Sequence, residues 1–199
     1  MSSQEHVAGV WSEPVERAFA GSPDLLVAEV RDGDARALET LYRGHHKAVR
    51  AFARRLLGDA TVAEDLVHDV FVAAPAAFRR YRSDAEVRTF LISIAVNHAK
   101  HHVRAAIRAR RMLERLAVEP RATAAGPPDD DWDRRELCDE LQRALDELPV
   151  EQRVVVVLCA VEERTAAEVA AIVGAPENTV RTRLFHGRRK LRELLGGTP

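Results

Sequence analysis

The residues with the clearest chemical potential lie near the C-terminus. Asn178, Thr179, Arg181, Thr182, Arg183, Arg188 and Arg189 occur within twelve positions. Val180, Leu184, Leu191 and Leu194 run through the same stretch at spacings of 4, 7 and 3, one apolar seam of a long helix. Amide, hydroxyl and guanidinium groups off that seam are the side chains that hydrogen-bond base edges in a major groove. The later arginines suit phosphates. A second set, Asn97, His101, Arg104 and Arg108, falls at helical spacing on one face, with Lys100 nearby. His98, His101 and His102 raise the question of zinc. With no Cys or acid at matching sequence spacing, they are assigned no metal. Cys138 and Cys159 make neither a disulfide framework nor a metal knuckle. Gly196-Gly197 is no phosphate loop, and no nucleophile, base and orienting group assemble from motifs. The expectation is a protein that binds nucleic acid, is not an enzyme, and needs no cofactor or small-molecule substrate.

The charge pattern points the same way. The formal net charge is −1, which argues against a blanket polyanion binder. The charge is segregated, however. Leu41 to Leu57 carries five basic residues and no acid; His98 to Arg115 carries six and one; Glu177 to Leu195 carries six and two. Glu119 to Glu147 reverses this with ten acids against four bases. Basic blocks set apart by an acidic middle offer local patches to nucleic acid.

These residues must be positioned by helices. Ser22-Pro23-Asp24 reads as an N-cap with Pro at the first helical position, and the apolar spacing that follows breaks at Gly33. Thr61-Val-Ala-Glu64 and Ser83-Asp-Ala-Glu86 read as capping boxes opening helices near Val62 and Val87, the second running to about Leu116. Pro75 is expected to kink or end the first of these. Leu137, Leu141, Leu145 and Leu148 predict one helix, and Pro149 could open the next as its first residue. Val154 to Val161, the longest apolar run at eight residues, is too short to span a bilayer; within it Val154-Val-Val-Val-Leu158 is rich in β-branched residues, yet its context favours a buried helix. Thr165-Ala-Ala-Glu168 is a third capping box, and Gly174-Ala175-Pro176 a tight turn before the long helix. Helix, Gly-containing turn, helix is the helix-turn-helix arrangement. The chain is therefore expected to be all-α: a tail over 1–21, a domain over 22–117, a flexible acidic linker over 118–133, and a helix-turn-helix domain over 134–196. No N-terminal secretion pattern is evident, so a cytoplasmic location is expected.

On these motifs the chain resembles bacterial extracytoplasmic-function sigma factors. Residues 148–195, with Glu168-Val-Ala-Ala-Ile-Val-Gly-Ala-Pro176 and Asn178-Thr-Val-Arg-Thr-Arg-Leu184, resemble their region 4. Leu41-Tyr42, Ala63-Glu-Asp-Leu-Val-His-Asp-Val-Phe71, Arg88-Thr-Phe-Leu91 and Ile94-Ala-Val-Asn97 resemble their region 2. The resemblance implies a subunit that binds core RNA polymerase, recognises −10 and −35 promoter elements and helps open the DNA. It implies polymerase contacts at Asp65, His68, Asp69 and Phe71, the last as readily a core residue as a contact. It places −10 contacts at Tyr81, Arg82, Asn97, Lys100, His101, Arg104 and Arg108. It places −35 contacts at Asn178, Thr179, Arg181, Thr182, Arg183, Arg188 and Arg189. An anti-sigma protein is implied as a further partner. Pro75 and Phe90 stand where the family commonly has Trp, Glu86 where it has a small residue, and Gly187 where it has Ala. The competing readings are an autonomous helix-turn-helix regulator that never binds polymerase, and a helical protein-binding adaptor.

Overall fold

The computed structural model describes residues 23–81, 86–115 and 130–196, with side chains over 24–81, 86–103 and 136–196. Eight α-helices and no strand occur among the described residues. The first four are α1 (Pro23–Arg31), α2 (Ala35–Leu57), α3 (Ala60–Phe78) and α4 (Val87–Arg115). Pro23 stands at the first position of α1, as its fixed φ favours, while Ser22, read as its cap, lies outside the described residues. The chain turns at Gly33, and Asp34 then caps α2, its carboxylate accepting from the N–H groups of Arg36 and Ala37 at 2.8 Å each. α1, α2 and α4 all contact α3, and α2 packs on α4. Leu41, Phe52, Leu66, Phe78 and Leu91 are fully buried between them. At about 25 cal/mol per Å² of apolar surface, each such side chain contributes about 1.5–3 kcal/mol, so these five anchor the bundle.

Three expectations are corrected here. α3 starts at Ala60, because Asp59 caps it through the N–H groups of Thr61 and Val62 at 2.7 and 2.9 Å. The predicted box at Thr61 fails because its acid, Glu64, pairs with Arg50 on α2 instead. Pro75 does not end α3, which continues to Phe78. Pro75 is one turn from the end, so little ladder follows the lost N–H, and burial of Ala74 and Phe78 outweighs it. The Ser83 box and the expected end of α4 at Leu116 fall on residues outside those described, α4 being described through Arg115.

The second group comprises α5 (Asp130–Asp146), α6 (Val150–Val156), a π-helical turn (Val157–Val161), α7 (Ala166–Val173) and α8 (Glu177–Leu194). α5 begins inside the stretch read as linker. Of its three leucines only Leu145 is buried, together with Leu148 just beyond its end, while Leu137 and Leu141 are exposed. Pro149 is the N-cap of α6 and not its first residue. The valine run is helical and buried, with an unforeseen widening into π geometry after Val156. Buried Arg153 ties α6 to α5: Nη1 donates to the Asp146 carboxylate and Nη2 to the Asp146 carbonyl, both at 2.8 Å. This offsets part of the cost of burying its charge.

Candidate nucleic-acid interface

α7 and α8 form the helix-turn-helix. Thr165 and Glu168 make the predicted capping box: the Thr165 N–H donates to Glu168 at 2.8 Å, and the Glu168 N–H to the Thr165 hydroxyl at 3.3 Å. The Thr165 N–H and hydroxyl, with Arg164, hold the Glu168 carboxyl below the usual carboxylate range. Gly174 ends α7 at φ 64, ψ 39, a left-handed conformation that costs a residue with Cβ more than glycine. Val180 is buried and Leu184 and Leu191 half-buried, so the seam docks; Leu194 is exposed, so it ends a turn early. Gly187 sits on that seam, where an added Cβ would lie 2.7 Å from Val156 Cγ2. The glycine is a steric requirement of the α6–α8 crossing.

At about 100° per residue, Asn178, Arg181, Thr182, Phe185, Arg188 and Arg189 share the face of α8 opposite the seam. All six are exposed. Arg181 is aligned by Glu177, which accepts from Nε at 3.0 Å and Nη2 at 2.6 Å. The Thr182 hydroxyl donates to the Asn178 carbonyl at 2.9 Å. Thr179 and Arg183 lie on the helix flank, half-buried. Phe185 was not anticipated. It is 61% exposed in the centre of the polar face, with the Arg189 guanidinium 6.0 Å from its ring centroid. Its independence from the seam spacing was the available signal.

In the first group, Asn97 and His101 are exposed on α4 and Lys100 is half-buried. Arg82 and the side chains of Arg104 and Arg108 lie outside the described residues. Tyr81 is half-buried, its ring meeting Phe78 and Phe90 edge-on at centroid distances of 5.4 and 4.9 Å. On α3, Asp65 and His68 are exposed. Phe71, for which core and contact were both open, is core, 5% exposed with its ring against Tyr42. Tyr42 stacks on His46 at 4.8 Å, and with Val72, 65% exposed, it adds apolar surface to this side of the bundle.

Asp69, the remaining residue implied as a polymerase contact, is half-buried beside α4. Its carboxylate accepts from His102 Nε2 at 2.9 Å, with His98 Nδ1 at 3.9 Å. The acid missing from the histidines' sequence neighbourhood is thus supplied by the adjacent helix. Asp69, Asn97, His98, His101 and His102 line an open cleft of about 410 Å³. Even so, among the described residues no group of three or more such side chains is arranged to hold a metal ion.

A helix-turn-helix presenting amide, hydroxyl and guanidinium groups defines a DNA-binding protein of the helical class. Comparison with known proteins narrows this. Residues 41–109 match the family Sigma-70 region 2, and residues 138–191 match Sigma-70, region 4. The chain is 35% identical over 170 residues to the RNA polymerase sigma factor CarQ of Myxococcus xanthus, covering 83% of this chain and 93% of that protein. It is 32% identical to the ECF RNA polymerase sigma factor SigM of Mycobacterium tuberculosis, covering 87% and 84%. Among solved structures, it is similar to CnrH in complex with the cytosolic domain of CnrY (TM-score 0.57, 27% identity, 86% and 96% covered). It is also similar to the sigma factor RpoE in complex with the anti-sigma factor NepR from Bartonella quintana (TM-score 0.54, 26% identity, 76% and 91% covered). The chain belongs to the extracytoplasmic-function sigma factors of RNA polymerase. It is accordingly a polymerase-binding, promoter-recognising subunit, and no helix among its described residues is long and apolar enough to cross a membrane.

Proposed function

We propose that this sigma factor reads the −35 element with α8 and the −10 element with α4, and docks on polymerase through the exposed side of α2 and α3. The observation that carries the reading is the unbroken exposed face of Asn178, Arg181, Thr182, Phe185, Arg188 and Arg189 opposite a buried seam. Arg181 and Asn178 suit guanine and adenine edges, and Arg188 and Arg189 suit phosphates. Phe185 suits a thymine methyl. Asn97 and His101 supply polar groups toward the −10 element, and Tyr81 a stacking surface for an unpaired base. Asp65 and His68, beside Tyr42 and Val72, are the groups free to meet a basic polymerase surface. The residues fall into a region 2 unit over 22–117 and a region 4 unit over 134–196, with the acidic stretch of 118–133 between them. The chain acts in the cytoplasm without catalysis of its own, and an anti-sigma protein of the kind seen with the similar RpoE would cover these surfaces.

The test is transcription from selected promoter fragments with bacterial core polymerase. Wild type should direct specific initiation, and Asp65→Ala/His68→Ala should weaken co-purification with core. Arg181→Ala/Thr182→Ala should retain core binding but lose promoter choice. Failure of the wild type to bind core or direct initiation would overturn the reading.

A further inference from the structure

The Asp69–His98–His102 cluster lies within the surface assigned above to the −10 element, and the inference rests on that reading. Asn97 and His101, proposed to meet the DNA, line the same open cleft between α3 and α4 as the carboxylate and its two histidines. All three groups are open to solvent, with the side chains of Asp69, His98 and His102 44%, 36% and 22% exposed. A carboxylate in this position works against DNA binding. It repels the phosphates that the basic stretch from His98 to Arg115 attracts. The same cleft contains the groups that can cancel it. His102 Nε2–H donates to the Asp69 carboxylate at 2.9 Å, so Nδ1 of that ring is left to take up a proton. His98 Nδ1 stands 3.9 Å from the same oxygen, beyond a hydrogen bond but within ion-pair reach. With both rings neutral the cluster has a net charge of −1. One proton brings it to zero, and a second makes it +1.

Among the described residues Asp69 is the one carboxylate within ion-pair distance of either ring. The other helices packed on α4, namely α2, α6 and α7, place no ion-pair partner on the two rings among the described residues. Asp65 and His68 on α3 and Lys100 and His101 on α4 are the charged and titratable side chains that flank the cluster. We propose that His98 and His102 are further residues of the −10 interface, that Asp69 is their positioning residue, and that −10 DNA binds with uptake of protons by this cluster. Histidine changes charge between about pH 5 and 8, so the coupling operates around neutrality. A phosphate approaching the cleft favours the charged rings, and by reciprocity the charged rings favour the phosphate. Each proton taken up on binding makes the affinity fall about tenfold per unit rise in pH, where the free cluster is neutral-ringed and the bound one charged. The carboxylate that opposes DNA at high pH is thus the group that holds His102 in the cleft and supports the charge of both rings at low pH.

The test is binding of purified holoenzyme to a promoter fragment selected with the wild type, read by fluorescence anisotropy from pH 8.0 to 6.0 at fixed ionic strength. A fragment with a scrambled −10 element is run in parallel and should bind more weakly at every pH, which checks the reading itself. On the selected fragment wild type should tighten by about tenfold or more between pH 8.0 and 6.0. His98→Gln/His102→Gln should remove most of this dependence, leaving about twofold. His102→Gln alone should lose about half of the slope, and it gives the answer if the double variant misfolds. Asp69→Asn removes the negative charge and should bind several-fold more tightly than wild type at pH 8.0, a gain that a damaged fold would not produce. Parallel pH curves for wild type and the histidine variants, or weaker binding by Asp69→Asn at pH 8.0, would overturn the proton coupling while the preference for the selected fragment stood. Equal binding of the selected and scrambled fragments would instead overturn the −10 reading and the coupling with it.

Discussion

His45 gives the sharpest prediction. Burial in the first helical group, with Arg88 nearby, pushes its imidazole down from 6.5 to about 4. The folded chain therefore keeps His45 neutral where the unfolded chain protonates it. The stabilisation is full above pH 6.5 and is lost as pH falls from 6.5 toward 4, because the unfolded state then binds a proton the folded state refuses. At about 1.4 kcal/mol per pH unit, the gap corresponds to about 3 kcal/mol in all, with about 2–3 kcal/mol lost by pH 4.5. The assay is urea unfolding at half-unit steps from pH 7.5 to 4.5, comparing wild type with His45→Gln. Other groups titrate in both proteins and cancel in the difference, so the variant's curve should be flatter by about 1 kcal/mol per unit through the middle of that range. Parallel curves would refute the reasoning and mean that His45 accepts its proton in the folded state.

Gly187→Ala should destabilise the second helical group by about 1–2 kcal/mol, the overpacking against Val156 exceeding the gain of about 1 kcal/mol in helix propensity. In thermal denaturation, Gly187→Ala/Val156→Ala should lose less than the sum of its parts. Thr165→Ala removes the hydroxyl half of the capping box and should cost about 1 kcal/mol by urea unfolding, with Thr165→Ser close to wild type. Arg181→Ala should weaken holoenzyme binding to a selected −35 site by about 1–3 kcal/mol and relax preference at one base pair, read by competition between sequence variants. Arg189→Ala should weaken all sequences alike and reduce the salt dependence of binding.

The sequence by itself determined the all-α class, the helix-turn-helix and most of the exposed polar face of α8. These depend on local rules: the seam from Val180 to Leu191 repeats at helical spacing, Thr165 and Glu168 are three residues apart, and Gly174 meets a local backbone need. Local rules also misled. The Thr61 box lost its acid to Arg50 on another helix, and Asp59 caps α3 in its place. Only the tertiary structure brought Asp69 to His98 and His102, 29 and 33 residues further along the chain. Only it showed that Gly187 makes room for Val156 and that Phe185 stands among the arginines. The Arg55–Glu162 pair spans 107 residues, and no periodicity or capping pattern encodes a partner at that distance. Such contacts follow from where whole helices pack, which is set by the summed burial of many side chains.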